Sequence, residues 1–153
     1  MNWLRKCRKE MISEGWKSMT KEQLVSMAKE AMQYAYSPYS GYKVGAALLC
    51  KDGSVYTGCN IENAGYSATN CAERTAFFKA VSEGKRGFEA IAICGGKDGV
   101  IEDVFPPCGV CRQIMREFCG DEFLIYLVSK EGIETYTLKE LLPVSFRPET
   151  IQK

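Results

Sequence analysis

The stretch FEAIAICGG, residues 88–96, decides the architecture. A strand with one wet face alternates apolar and polar residues, but from Ala90 to Gly96 no side chain is polar. Such a strand must be covered on both faces. The run FLIYLVS, 123–129, has the same character, and CGVCRQIMREFC, 108–119, lies between them as a short helix after the connection KDGVIEDVFPP. Upstream, Cys71 to about Gly84 is a helix. VGAALLC (44–50) and VYTGCN (55–60) flank KDGS, whose Asp52-Gly53 pair signals a hairpin. Further upstream, Thr20 and Gln23 form a capping box for a helix carrying Leu24, Met27, Ala28, Ala31, Met32 and Ala35. Pro38 disfavours a helical Ser37, so this helix is expected to stop near Tyr36. Gly132 turns the chain into a short strand, IETYTL, and the chain finishes with a helical turn in KELLPVSFRPETIQK. Strands alternating with helices predict an α/β fold: a three-layer α/β/α sandwich around a mixed sheet of about five strands.

At 153 residues, with 46% hydrophobic and 25% charged residues, the chain has the composition of one soluble domain, expected over 20–153. Residues 1–19 form an extension. Leu4, Met11, Ile12 and Trp16 give it a weak helical stripe, so it is read either as an ordered helix or as a mobile tail. A formal charge of +1 argues against a nucleic-acid partner, which demands clustered positive charge. No stretch approaches the roughly 18–20 apolar residues of a membrane span. The first twenty residues lack the apolar core of a signal peptide, so an intracellular, reducing compartment is expected, the cytoplasm first and the nucleus as an alternative.

Eight cysteines are many for such a setting, and there is no histidine. Any metal site must use Cys, Asp or Glu, and histidine cannot serve as a general base. Two stretches stand out: CAE, Cys71 to Glu73, and PPCGVCRQ, with Cys108 and Cys111. A C-x-x-C at a loop-to-helix junction suits either a tetrahedral metal or a redox pair. The third cysteine shifts the balance to metal, because it too lies at a helix N-terminus, where free N–H groups stabilise thiolates. Three thiolates and an open fourth position make the layout of a catalytic zinc. Zinc lowers the pKa of a bound water from about 15.7 toward 7. Glu73, two residues from Cys71, is placed to act as general acid and base. Three thiolates on Zn²⁺ leave a negative site, and Arg74 is expected to compensate by donating to a sulfur, against the alternative of a solvated helix arginine. A structural zinc in a binding module is the rival from another class; it predicts a fourth protein ligand and no need for Glu73.

The pair C-A-E and P-C-x-x-C resembles the signature of zinc nucleobase deaminases. YSGYKVGAALL, GCNIENAGY, CAERTAFFKA, PPCGVCRQIMREF and ELLPVSF resemble, in the same order, the small homotetrameric cytidine deaminases of pyrimidine salvage. The resemblance spans roughly residues 20–149, and the all-cysteine ligand set matches the tetrameric branch rather than the dimeric one, which uses one His. It implies one zinc per subunit, a homotetramer, and deamination of cytidine and 2′-deoxycytidine. It also implies that Asn60 and Glu62 hold the ribose 3′-hydroxyl. Tyr42, where the family more often has Phe, would pack on the base. Ala72 is counted among the substrate contacts, Tyr66 lies near the sugar and the subunit boundary, and Phe146 closes a neighbour's pocket. Without the resemblance, Phe146 reads as a C-terminal core anchor. A deaminase of another aminopyrimidine, such as a blasticidin-type antibiotic, shares the zinc motif. The remaining cysteines, Cys7, Cys50, Cys59, Cys94 and Cys119, are read as buried free thiols.

Overall fold

A computed structural model describes residues 18–152. The stripe expected at Leu4, Met11, Ile12 and Trp16, and Cys7, lie outside the described residues. The elements run α1 (Lys21–Met32), β1 (Tyr42–Cys50), β2 (Val55–Cys59), α2 (Ala72–Ser82), β3 (Phe88–Lys97), α3 (Gly109–Phe118), β4 (Leu124–Ser129), β5 (Gly132–Thr137) and α4 (Leu138–Leu141), with short 3₁₀ turns at Tyr66–Ala68 and Pro148–Thr150. The strands form one sheet in the order β2-β1-β3-β4-β5. Only the β3–β4 pair is parallel; the other pairs are antiparallel, so the sheet is mixed as expected.

β3 sits at the centre, and its Ile91, Ala92, Ile93 and Cys94 are fully buried. Alternate residues face opposite layers. Ile91 and Ile93 meet α2 and α3 together with Val44, Ala46, Leu48, Ile125 and Leu127. Ala90, Ala92 and Cys94 meet Leu24, Val25, Ala28 and Met32 of α1. Two glycines let helices lie directly on the sheet from opposite sides. A Cβ at Gly45 would fall 2.0 Å from the Ala28 carbonyl oxygen of α1, and one at Gly58 would fall 2.3 Å from the Ala72 carbonyl oxygen of α2. On the second face, Phe77 of α2 stacks near Phe118 of α3, ring centroids 6.2 Å apart, and Phe88 and Phe123 complete the cluster. Aromatic pairs of this kind add about 0.5–1.5 kcal/mol each beyond their burial. They hold α2 and α3 side by side, so that both N-termini open at one place.

The Thr20–Gln23 capping box forms as expected. α1, however, ends at Met32 rather than near Tyr36. Beyond it the chain is captured by the loop after β2: the Tyr36 N–H donates to the Asn60 carbonyl, and the Glu62 N–H donates to the Tyr36 carbonyl. Tertiary pairing, not Pro38 alone, sets that boundary. β1 likewise starts two residues before the expected Val44, because Tyr42 and Lys43 pair with Lys97 and Gly96 of β3.

Candidate active site

Cys71 is the N-cap residue of α2, and Cys108 is the N-cap residue of α3, both with extended backbone. Cys111 follows in the first turn of α3. The two helix starts bring the thiols together: Cys71 and Cys108 Sγ atoms lie 3.8 Å apart, and Cys108 and Cys111 Sγ atoms 3.6 Å apart. All three lie within 4.8 Å of one another. A tetrahedral zinc with Zn–S bonds near 2.3 Å sets its sulfurs about 3.8 Å apart, so this donor set fits the ion. Among the described residues, no fourth potential ligand joins the group, which is the reverse of what a structural zinc requires.

Glu73, in the first turn of α2, is 4% exposed. Burial pushes its carboxyl up to about 7, and the neighbouring Cys71 adds to this while Arg74 opposes it. A bond from Cys111, together with Arg74 and Cys108, draws the Cys71 thiol down to about 5 against the effect of burial. Cys111 is pushed up, by its bond to Cys71 and by burial. Arg74 is not a solvated helix arginine: its Nη2 donates to Cys71 Sγ at 3.5 Å and to the Thr69 carbonyl at 3.1 Å. Its Nε is buried without a partner. The other described cysteines are remote from this cluster in character. Cys50, Cys94 and Cys119 are buried, Cys59 is half-buried, and burial raises Cys94 to about 11 and Cys119 to about 12.

The loop after β2 is stitched to the entrance of α2. Ile61 bridges Tyr36 on one side and Asn70, the residue before Cys71, on the other. Asn60 prolongs the β1–β2 ladder with its side chain, accepting from the Val44 N–H at 2.8 Å and donating to the Tyr42 carbonyl at 2.8 Å. Glu62 accepts from the Tyr39 and Ser40 N–H groups at 2.9 and 3.2 Å and from the Ser40 hydroxyl. Both side chains therefore brace the turn that presents Tyr42. The Tyr42 ring tilts against Phe105 at 6.0 Å, with Lys97 Nζ 5.4 Å from its centroid. Ala72 is fully buried. Tyr66 is 88% exposed and Phe146 58% exposed. Phe146 is not a core anchor; its carbonyl accepts from Gln113 Nε2 at 3.1 Å on the outside of α3.

Three residues of this region escaped sequence reading. Thr75 donates to the Cys59 and Cys71 carbonyls and accepts from Asn70 Nδ2. Phe105 is brought to Tyr42 by the long connection after β3, and Arg112 reaches Leu141, the last residue of α4. Only Arg112, directly after a candidate ligand, sits where a sequence signal existed.

The model of the cytidine and deoxycytidylate deaminase zinc-binding region matches residues 18–127. The chain is 50% identical over 134 residues to a cytidine deaminase of Sporosarcina psychrophila, covering 87% of this chain and 96% of that one. It is 50% identical over 132 residues to a cytidine deaminase of Halalkalibacterium halodurans, covering 86% and 97%. A cytidine deaminase structure from Burkholderia pseudomallei superposes with a TM-score of 0.78 at 43% identity, over 84% of this chain and 100% of that one. The chain belongs to the cytidine and deoxycytidylate deaminase family, and it is an enzyme. Among the described residues no helix is long and apolar enough to cross a membrane.

Proposed function

We propose that the protein hydrolyses cytidine and 2′-deoxycytidine to the uracil nucleosides and ammonia, in nucleoside salvage, with one zinc per subunit held by Cys71, Cys108 and Cys111. The observation that carries this reading is a buried carboxylate, Glu73, two residues from a three-thiol cluster at the meeting of two helix N-termini. Zinc, when bound there, makes hydroxide available at neutral pH. Glu73 accepts a proton from the attacking water on its carboxylate, gives it to N3 of the ring, and returns the second proton to the departing amine. Water adds at C4, the C4–N bond breaks, and ammonia leaves. A carboxyl held near neutrality by burial can both take and give protons at working pH. Arg74 offsets the negative charge of the sulfurs by donating to Cys71. Tyr42 lies along the base, and Asn60 and Glu62 offer their remaining hydrogen-bond capacity to the ribose hydroxyls. A purified protein that releases ammonia from cytidine and deoxycytidine and carries one zinc per chain is the expected outcome. Release from a blasticidin-type antibiotic alone would move the substrate, and no release from any aminopyrimidine would end the reading.

The working unit is a homotetramer. In the single chain, Tyr66, Phe146 and a fully exposed Val144 stand clear of the core, which fits surfaces covered by further copies. Mixing inactive Glu73→Gln chains that keep Phe146 with Phe146→Ala chains that keep Glu73 should restore activity in shared pockets. An active isolated monomer, or no recovery in mixed tetramers, would count against pocket sharing.

A further inference from the structure

Cys108 is the least enclosed of the three thiols: Cys111 is buried and Cys71 half-buried, whereas Cys108 is exposed. A Cβ at the following Gly109 would meet nothing within 4 Å. Packing therefore does little to fix Cys108, and something else must. Arg112 brackets it. Its main-chain N–H donates to the Cys108 carbonyl at 3.0 Å, and its side-chain Nε donates to the carbonyl of the preceding Pro107 at 2.8 Å. The same guanidinium reaches out of this loop: Nη1 donates to the carbonyl of Leu141 at 2.6 Å. Leu141 is the last residue of α4, where helix carbonyls lack helical partners. The strap that follows, Leu142 to Phe146, is tied at its far end by the next residue of α3, since Gln113 donates to the Phe146 carbonyl.

We propose that Arg112 is a positioning residue that couples the Cys108 loop to the C-terminal strap, so that one side chain sets both the retention of zinc and the placement of Phe146. This rests on the reading of the site given above. The guanidinium suits the task because its planar fork offers Nε and Nη donors at a fixed angle, and two carbonyls bonded to it are fixed relative to each other. Gln113 holds only the strap, and so separates the two effects.

The test compares zinc-loaded wild type, Arg112→Ala, Arg112→Lys and Gln113→Ala. Transfer of zinc to an excess chromophoric chelator gives the release rate, and cytidine turnover gives KM and kcat separately. Arg112→Ala should release zinc roughly 10–100-fold faster, the range seen when groups supporting a metal ligand are removed. It should also raise KM more than it lowers kcat. Gln113→Ala should raise KM and release zinc at the wild-type rate. If Arg112→Ala does not fold by circular dichroism, Arg112→Lys carries the test: it keeps charge and approximate length but lacks the fork, and should move both quantities the same way by less. Wild-type zinc release in the folded Arg112 variants, or faster release with unchanged KM, overturns the coupling. A wild-type chain that takes up no zinc overturns the reading of the site itself, and this proposal with it.

Discussion

The two faces of the sheet are built from the same strands and obey different rules. On the α1 face, Leu24, Val25, Ala28 and Met32 close over Ala47, Leu49, Ala90, Ala92 and Cys94, and Cys94 stays protonated because burial raises its pKa. On the α2–α3 face an equally apolar centre, with Phe77, Ile91, Ile93 and Met115, gives way at the helix N-termini to a buried carboxylate, three touching thiols and a guanidinium with a bare Nε. Buried ionisable groups and unsatisfied donors destabilise a fold unless a ligand or a partner answers them. Glu73, the thiols and Arg74 gather at the two helix N-termini, which is the pattern expected of a functional site. Arg116, by contrast, buried in the last turn of α3 with Nε and Nη2 unpartnered, is answered by an ion pair with Asp121 at 2.9 Å.

The sharpest way to break this contrast is to remove one cysteine from each face. Cys111→Ala should lose zinc, lose activity, and unfold at lower temperature, since metal binding contributes to folding free energy. Cys94→Ala should keep full zinc and turnover, with a modest loss of stability. Equal zinc content in both variants, by metal analysis, would place the metal elsewhere. Next in size, Glu73→Gln should lower turnover roughly 10²–10⁴-fold while zinc stays bound. Its melting temperature should not fall, because the change removes a buried acid. Near-normal rates would deny Glu73 its proton-carrying role.

The opposite dissociation belongs to the α1 face. Gly45→Ala drives a methyl against the Ala28 carbonyl, and the resulting overpacking should destabilise the fold by about 1–3 kcal/mol. Turnover per folded molecule should be unchanged; a selective loss of kcat would show that the two faces are not independent. The smallest effect expected is at Arg74. Arg74→Ala should lower activity roughly tenfold, at the lower edge of the range for such supporting groups, and stability less. Arg74→Gln, which keeps a donor, should be milder. Wild-type rates in both would leave Arg74 a packing role only.

The three-cysteine cluster and Glu73 were legible because their chemistry and spacing are local: each candidate ligand falls at a helix start that the sequence itself marks. Arg74 was legible for the same reason. Asn60 and Glu62 were visible only through resemblance, and their hydrogen bonds to Val44, Tyr42, Tyr39 and Ser40 join residues sixteen to twenty-three positions apart. No periodicity encodes such bonds. Phe105 and Arg112 went unread because their partners, Tyr42 and Leu141, come from other parts of the chain.

By itself, then, the sequence determined the succession of helices and strands, the double-faced burial of β3, and the metal-fitting donor set. These rest on the apolar runs, caps, turns and motifs of neighbouring residues, and local chemistry writes itself into local order. Tertiary structure alone decided that α1 stops at Met32, that β3 and β4 run parallel, and that Phe146 stands outside the core. Those outcomes depend on which distant segments compete for the same hydrogen bonds and apolar surface, and that competition is resolved only when the chain closes on itself.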